Sequence, residues 1–210
     1  MDANIETELK LQLTDTLRWA DILSDSQLLE LANPPFFKSE DYEAFYFDTP
    51  SFSLKKAGIA YRVRREGEKL TATIKVGGSS HGGMHERQEW NIEVQKTEPD
   101  LTPFFNTPFR LLLEKALNGE NLEELFVTRF ERKSLNLCLT DGTEVDFAAD
   151  RGEIVAGDYK EPINEIELEL KKGDKGQLLK LGDMLIKKYP LIKEPRSKFY
   201  RGLKLLELNS

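Results

Sequence analysis

Between Ile5 and Leu13 the chain alternates strictly, with Ile5, Thr7, Leu9, Leu11 and Leu13 on one parity and Glu6, Glu8, Lys10 and Gln12 on the other. A period of two is the mark of a β-strand, whose successive side chains point to opposite faces. Strand-like stretches return at residues 43–48, 59–66, 70–76, 86–94, 126–139, 144–150, 153–158 and 162–171. Helical patterns are fewer. Thr14 or Asp15 can cap a helix with Leu17, Ala20 and Leu23 as its apolar stripe. Thr107-Pro108 reads as N-cap and first helical residue, with Phe109, Leu112, Leu113, Ala116 and Leu117 buried and Asn118-Gly119 as the stop. Asp174 caps a helix to Lys188, and Ser197 a last one to Leu206. Many strands with scattered helices predict an α+β domain on a large antiparallel sheet, with residues 1–210 as one unit.

The polar faces of these strands form a set. Arg62 and Arg64 oppose Ile59, Tyr61 and Val63; Thr71, Thr73 and Lys75 oppose Ala72, Ile74 and Val76; Arg87 and Glu89 oppose Trp90 and Ile92. Glu144, Asp146 and Asp150 oppose Val145, Phe147 and Ala149, and Glu165, Glu167 and Glu169 oppose Ile166, Leu168 and Leu170. In an open sheet such faces would meet water. The chain also carries amphipathic helices that need an apolar surface to cover, however. If they cover the outside of a closed sheet, the charged faces point inward. A lumen of both signs is costly unless each charge is paired, hydrated or met by a ligand. Arginine forks suit phosphate oxygens. Carboxylates two apart on a strand, about 7 Å along one face, suit a hard cation such as Mg²⁺, which is held by a few carboxylates plus phosphates. The reading is a metal–polyphosphate site.

Charge and composition narrow the partners. Lys and Arg number 30 against 37 Asp and Glu, a formal net charge of -7, which argues against nucleic acid or an anionic membrane as partner. The single cysteine, Cys138, excludes an internal disulfide framework and reads as a small buried hydrophobe in a reducing compartment. No apolar signal region or transmembrane-length run is present, so the expected location is cytoplasmic. Gly77, Gly78, Gly82 and Gly83 lack the context of a phosphate-binding P-loop. His81 and His85 read as part of a flexible connector, Phe104, Phe105 and Phe109 as core, and Asp48 as a strand-ending turn. Lys198 beside a helix start is electrostatically unfavourable there, which favours a functional role, and Gly202 inside the same helix implies close packing.

These residues resemble the CYTH family, the triphosphate tunnel metalloenzymes. The family's E-x-E-x-K appears as Glu6-Thr7-Glu8-Leu9-Lys10. Further signposts follow in order: Tyr46-Phe47-Asp48-Thr49-Pro50, Arg62-Val63-Arg64, Thr73-Ile74-Lys75, Glu86-Arg87-Gln88-Glu89-Trp90, Asp150-Arg151-Gly152-Glu153-Ile154, Glu165-Ile166-Glu167-Leu168-Glu169-Leu170 and Ser197-Lys198 with Arg201-Gly202. Within the family the likeness is greatest to bacterial inorganic triphosphatases.

The resemblance implies a closed eight-stranded antiparallel β-barrel with helices outside and hydrolysis of a triphosphate within it. It implies Mg²⁺ or Mn²⁺ on Glu6, Glu8, Asp150 and Glu169. The phosphate chain would lie on Lys10, Arg62, Arg64, Arg87, Lys198 and one of Arg129 and Arg132, whose parities differ. Lys75, Glu165 and Glu167 would serve catalysis. The expected substrate is inorganic triphosphate or another small molecule bearing a triphosphate. Adenylate cyclase or thiamine triphosphatase chemistry on the same fold, and a non-catalytic polyphosphate- or nucleotide-binding module, are the alternatives; the oligomeric state stays open.

Overall fold

The computed structural model describes residues 4–208. Eight strands carry the architecture: β1 (Asn4–Leu13), β2 (Lys38–Asp48), β3 (Ile59–Glu66), β4 (Lys69–His81), β5 (Met84–Val94), β6 (Glu123–Cys138), β7 (Glu144–Ala156) and β8 (Tyr159–Lys172). They join in the order β5-β4-β3-β2-β6-β7-β8-β1. β1 pairs with β8 through one part of its length and with β5 through another, all antiparallel, so the sheet closes on itself as an eight-stranded barrel. A short strand β9 (Leu191–Lys193) pairs with the last residues of β1, beyond the point where β5 stops.

The apolar parity faces outward and is covered. Leu9, Leu11, Ile166 and Leu168 form one cluster with Leu178, Leu181 and Leu185 of helix α5 (Lys175–Lys188), joined by Trp19 and Ile22 of α1 (Trp19–Leu23) and Leu28 of α2 (Ser26–Leu31). On the opposite wall Tyr61, Val63, Ala72, Ile74 and Trp90 pack with Phe104, with Leu54 of α3 (Ser53–Lys56) and with Leu113 of α4 (Arg110–Leu117). Each apolar side chain taken fully out of water contributes about 1.5–3 kcal/mol. This burial is what fixes which face of every strand turns in.

Helix α6 (Lys198–Glu207) does something different. Its Leu203 and Leu205 pack with Tyr46, Phe126, Ile154 and Ile163, which have the inward parity of their strands. It therefore closes one end of the barrel. Ser197 caps it, accepting from the Tyr200 N–H at 3.1 Å. A Cβ on Gly202 would lie 2.3 Å from the Phe126 ring, so only glycine lets the helix seat this closely.

The expected elements are present, with differences of physical origin. Residues 144–150 and 153–158 are not two strands but the single β7, ending at Ala156; Gly152 stays in the ladder because β6 and β8 pair with it on both sides. Thr107 does turn the chain, its hydroxyl accepting from the Phe109 N–H at 3.2 Å, but α4 starts only at Arg110. Asp15 caps a 3₁₀ turn in which Leu17 is 87% exposed; Trp19 and Ile22 take the burial instead. His85 is not in a connector. β4 runs on to His81, Gly82 and Gly83 make the turn with positive φ, and His85 sits buried in β5. Cys138 is exposed rather than buried, because it shares the parity of Arg132 and Asn136 while Leu135 and Leu137 hold the apolar face. Asp48 ends β2 as expected, accepting from the Thr49, Leu54 and Lys55 amides at 2.7–2.9 Å.

Helix propensity alone favours alanine over glycine by about 1 kcal/mol. At position 202 the clash with Phe126 outweighs it, and overpacking costs about 1–3 kcal/mol. Gly202→Ala is therefore expected to lower the urea midpoint; an unchanged or higher midpoint would show that α6 is not seated on Phe126.

Candidate active site

Inside the barrel lies a cavity of about 500 Å³ lined by Glu6, Glu8, Lys10, Arg62, Arg64, Lys75, Arg87, Arg132, Glu167, Glu169 and Lys198, among others. Register explains the gathering. Residues directly opposite on antiparallel strands share a face, with Cβ atoms about 5 Å apart. Glu6 is opposite Arg87, Glu8 opposite Glu169, and Lys10 opposite Glu167. Lys75 is likewise opposite Glu89, and Arg132 opposite Asp150.

Almost every charge has a partner of opposite sign. Lys75 Nζ donates to both Glu6 oxygens at 2.8 and 2.6 Å and pairs with Glu89 at 2.8 Å. Arg87 donates to Glu8 at 2.7 Å, and Lys10 donates to Glu167. Arg132 grips Asp150 with two bonds of 2.7 Å and reaches Glu167 at 2.5 Å. Lys198 donates to Asp150 at 2.7 Å and to Glu167 at 2.9 Å, and pairs with Glu165. Arg62 is the exception. It donates to the Tyr46 hydroxyl at 3.3 Å, its Nε is buried without a partner, and no carboxylate pairs with it among the described residues. Arg64 pairs with Glu66, and its Nε is also unpartnered. The lumen thus presents an anion with free donors on β3.

The two carboxylates of β1 are driven apart electrically. Burial, with Glu8 and Glu89 nearby, raises the Glu6 carboxyl to about 7 despite Lys75. Burial also opposes charge on Glu8, but Lys10, Lys75 and Arg87 outweigh it and lower its carboxyl to about 2. Against the same burial, Lys10, Lys198 and Arg132 hold Glu167 well below the usual carboxylate range.

Two sets of carboxylates bear on where a cation could sit, and one of them has the spacing. Oxygens of Asp150, Glu165 and Glu167 lie within 4.8 Å of one another, a spacing that suits a metal. Lys198 and Arg132 already fill that position, however, and both Asp150 oxygens are taken. In this structure Asp150 anchors two cations, and a metal on this group would have to displace them. Glu6, Glu8 and Glu169 face the open cavity, with Glu8 directly opposite Glu169; Lys75 holds both Glu6 oxygens and Arg87 one of Glu8, so a hard divalent cation on this all-oxygen set would replace those contacts.

Two further candidates lie off the cavity lining. Arg129 has the outward parity, is half-exposed and pairs with Glu43 at 2.9 Å, so it does not face the lumen; Arg132 does. Glu165 lies fully buried off the cavity lining, bound to Lys198 and to Arg201 at 2.9 Å, and there it holds those two cations. Arg201, a family signpost in the sequence to which no role was attached, also donates to Glu161 at 2.7 Å and to the Pro162 carbonyl at 2.6 Å. Its signal was the i,i+3 spacing from Lys198. The aromatic wall of Tyr42, Tyr46, Phe130 and Phe199 was missed as well, because aromatics on the inward parity read as core. Tyr42 stacks on Phe130 at 5.4 Å, while Arg64 and Arg132 lie over the Tyr42 ring and Lys198 over Phe130.

The CYTH domain family pattern matches residues 4–203. Over 130 residues, 61% of the chain, the sequence is 36% identical to an inorganic triphosphatase of Haemophilus influenzae, and that match covers 36% of the relative. The chain thus spans about a third of the length of that protein. A Hippeastrum adenylyl cyclase candidate with a dominant triphosphatase activity superposes with a TM-score of 0.62 at 19% identity, over 93% of this chain and 95% of that one. A protein of Pyrococcus horikoshii OT3 superposes with 0.57 at 21% identity, over 95% and 98%. At such identities the likeness concerns the fold. No helix among the described residues is long and apolar enough to cross a membrane.

Because Glu6 keeps its proton to about 7 when folded but only to about 4.5 as a free side chain, its contribution to stability falls as pH rises through that window. Glu6→Gln removes the loss. In metal-free protein the variant is expected to melt about 2 °C or more above wild type at pH 8 and to show no such gain at pH 4.5. The same difference at both pH values would contradict the charge crowding described.

Proposed function

As the chain belongs to the CYTH domain family, we propose that it is a metal-dependent inorganic triphosphatase that cleaves tripolyphosphate to pyrophosphate and orthophosphate inside the barrel. The observation that carries the reading is Arg62: a lumen cation with no carboxylate partner among the described residues, beside Arg64 and facing a carboxylate-lined wall. Free donors of this kind fit phosphate oxygens, and an anion-binding module would have no need of the acidic set opposite them.

Arg62, Arg64, Arg87, Arg132, Lys10 and Lys198 bind and orient the phosphate chain from strands far apart in sequence. Lys75 donates to the oxygens that gain charge as the bridging bond breaks. Glu6, Glu8 and Glu169 would hold Mg²⁺ or Mn²⁺, which when bound neutralises phosphate charge between them. With its carboxyl kept ionised, Glu167 orients a water by accepting a hydrogen bond and is a weak base. The water oxygen bonds to the terminal phosphorus, and the bridging P–O bond breaks with its electron pair left on pyrophosphate. The two water protons end one on each product. Positioning and charge stabilisation carry most of this class of chemistry, so no covalent nucleophile is needed.

Inorganic triphosphate fits better than an organic triphosphate. The Tyr42 and Phe130 rings that could stack a base are instead covered by Arg64, Arg132 and Lys198 at 4.9–5.6 Å. With Mg²⁺, kcat/KM for tripolyphosphate is expected to exceed that for ATP by at least about tenfold, or about 1.4 kcal/mol. ATP or thiamine triphosphate cleaved as fast, or cyclic AMP formed, would overturn the substrate assignment.

The metal reading has its own test. Glu8→Gln keeps the shape and removes a charge. It is expected to lower kcat by about 100-fold or more at saturating Mg²⁺ while the melting transition stays cooperative. Unchanged turnover would make the pair of β1 carboxylates structural.

A further inference from the structure

We propose that a second pocket at the floor of the barrel binds orthophosphate and releases it, so that substrate enters with its terminal phosphate deepest and the two products leave by different ways; this rests on the triphosphatase reading above. The pocket, of about 320 Å³, lies between the β4–β5 hairpin and residues 195–200 and shares Arg87 and Ser197 with the main cavity. It offers Arg87, Arg196, His85, Ser79 and Ser197, while Ser80 only walls it, and no carboxylate is among its lining residues. Both arginines are paired from outside the lining, Arg87 with Glu8 and Arg196 with Glu194, which leaves donors, not carboxylates, facing the space.

Arg87 forms the wall between the two spaces. Its Nη2 donates to Glu8 on the lumen side, while its Nε is buried without a hydrogen bond, 4.0 Å from Glu6. β4 bulges beside it: the register shifts between Val76 and Ser79, and Gly78 adopts φ +110. A Cβ on Gly78 would lie 2.3 Å from Arg87 Cγ and 2.5 Å from the Glu86 carbonyl, so any other residue would displace the guanidinium. A swing of one arginine side chain would join the pockets. The need for a second way out follows from α6, which fills the floor with Leu203 and Leu205 against Phe126 and Ile163. Orthophosphate split off at that depth sits behind pyrophosphate.

Arg196 is held toward this pocket by Glu194 at 2.6 and 2.9 Å. Ser80 spans the pocket, its hydroxyl donating to the Pro195 carbonyl at 2.9 Å. Ser80→Trp would fill the space without touching the lumen, and Ser80→Ala would remove the same bond without filling it. In steady state with tripolyphosphate and Mg²⁺, Ser80→Trp is expected to lower kcat by at least about fivefold and to show an acid-quench burst near one orthophosphate per site, because release then limits turnover. Ser80→Ala should stay within about twofold of wild type. An unchanged kcat in Ser80→Trp, a fall without a burst, or an equal fall in Ser80→Ala would overturn the exit. Independently of turnover, inorganic phosphate titrated into metal-free protein should shift the Gly78 and Ser79 amide resonances in wild type and not in Ser80→Trp; no shift in wild type would overturn the site. If wild-type protein releases no phosphate from tripolyphosphate, the triphosphatase reading fails, and the resonance experiment still decides whether the pocket takes orthophosphate.

Discussion

A closed barrel whose charged parity points inward has to satisfy every one of those charges across the lumen, since several kcal/mol are lost for each ion left buried and unpaired. The pairing of β1 with its two neighbours meets that demand. Glu6 and Lys10 lie opposite Arg87 and Glu167, Arg87 also bonds Glu8, and the same strand supplies Leu9 and Leu11 to the outer core. A slip of one residue would drive leucines into the lumen and carboxylates under α5. Register, core and site are thus set by one alternation, and the outer helices hold the inversion in place.

Within that balanced lumen, function depends on where the balance is incomplete. Arg62 and the unpartnered Nε of Arg64 leave donors unspent on one wall. On another wall burial holds the Glu6 carboxyl near 7, which stores an unfavourable charge that a divalent cation would relieve. The deep layer is the opposite case. Asp150, Glu165 and Glu167 are each held by two or more of Lys10, Arg132, Lys198 and Arg201, the last two supplied by α6. The floor is therefore stiff and positively aimed, which fixes Lys198 despite the unfavourable position of a cation at a helix start.

The sequence made legible whatever a period of two encodes. Parity alone separated Arg62, Arg64, Lys75 and Arg87 from Tyr61, Val63, Ile74 and Trp90, and the structure turns the first group in and the second out. Parity does not say how far along the lumen a residue sits, or what closes it. Glu165 and Glu167 are equivalent by alternation, yet one lies beneath the floor and the other lines the cavity, because α6 fills the space between. Arg129 and Arg132 could be separated only by following β6 unbroken against β2 and β7. Cys138 looked apolar because its neighbours are, although its parity is that of Asn136. Tertiary pairing, which no local pattern carries, decided each of these.

The most direct test of the account is a crystal structure with tripolyphosphate and Mn²⁺, with the metal located by anomalous scattering. The account predicts phosphate oxygens within hydrogen-bond reach of Arg62 and Arg64, and Mn²⁺ on Glu6, Glu8 and Glu169 with Lys198 still bound to Asp150. Mn²⁺ on Asp150, Glu165 and Glu167 with Lys198 displaced, or phosphate held only outside the barrel, would contradict it.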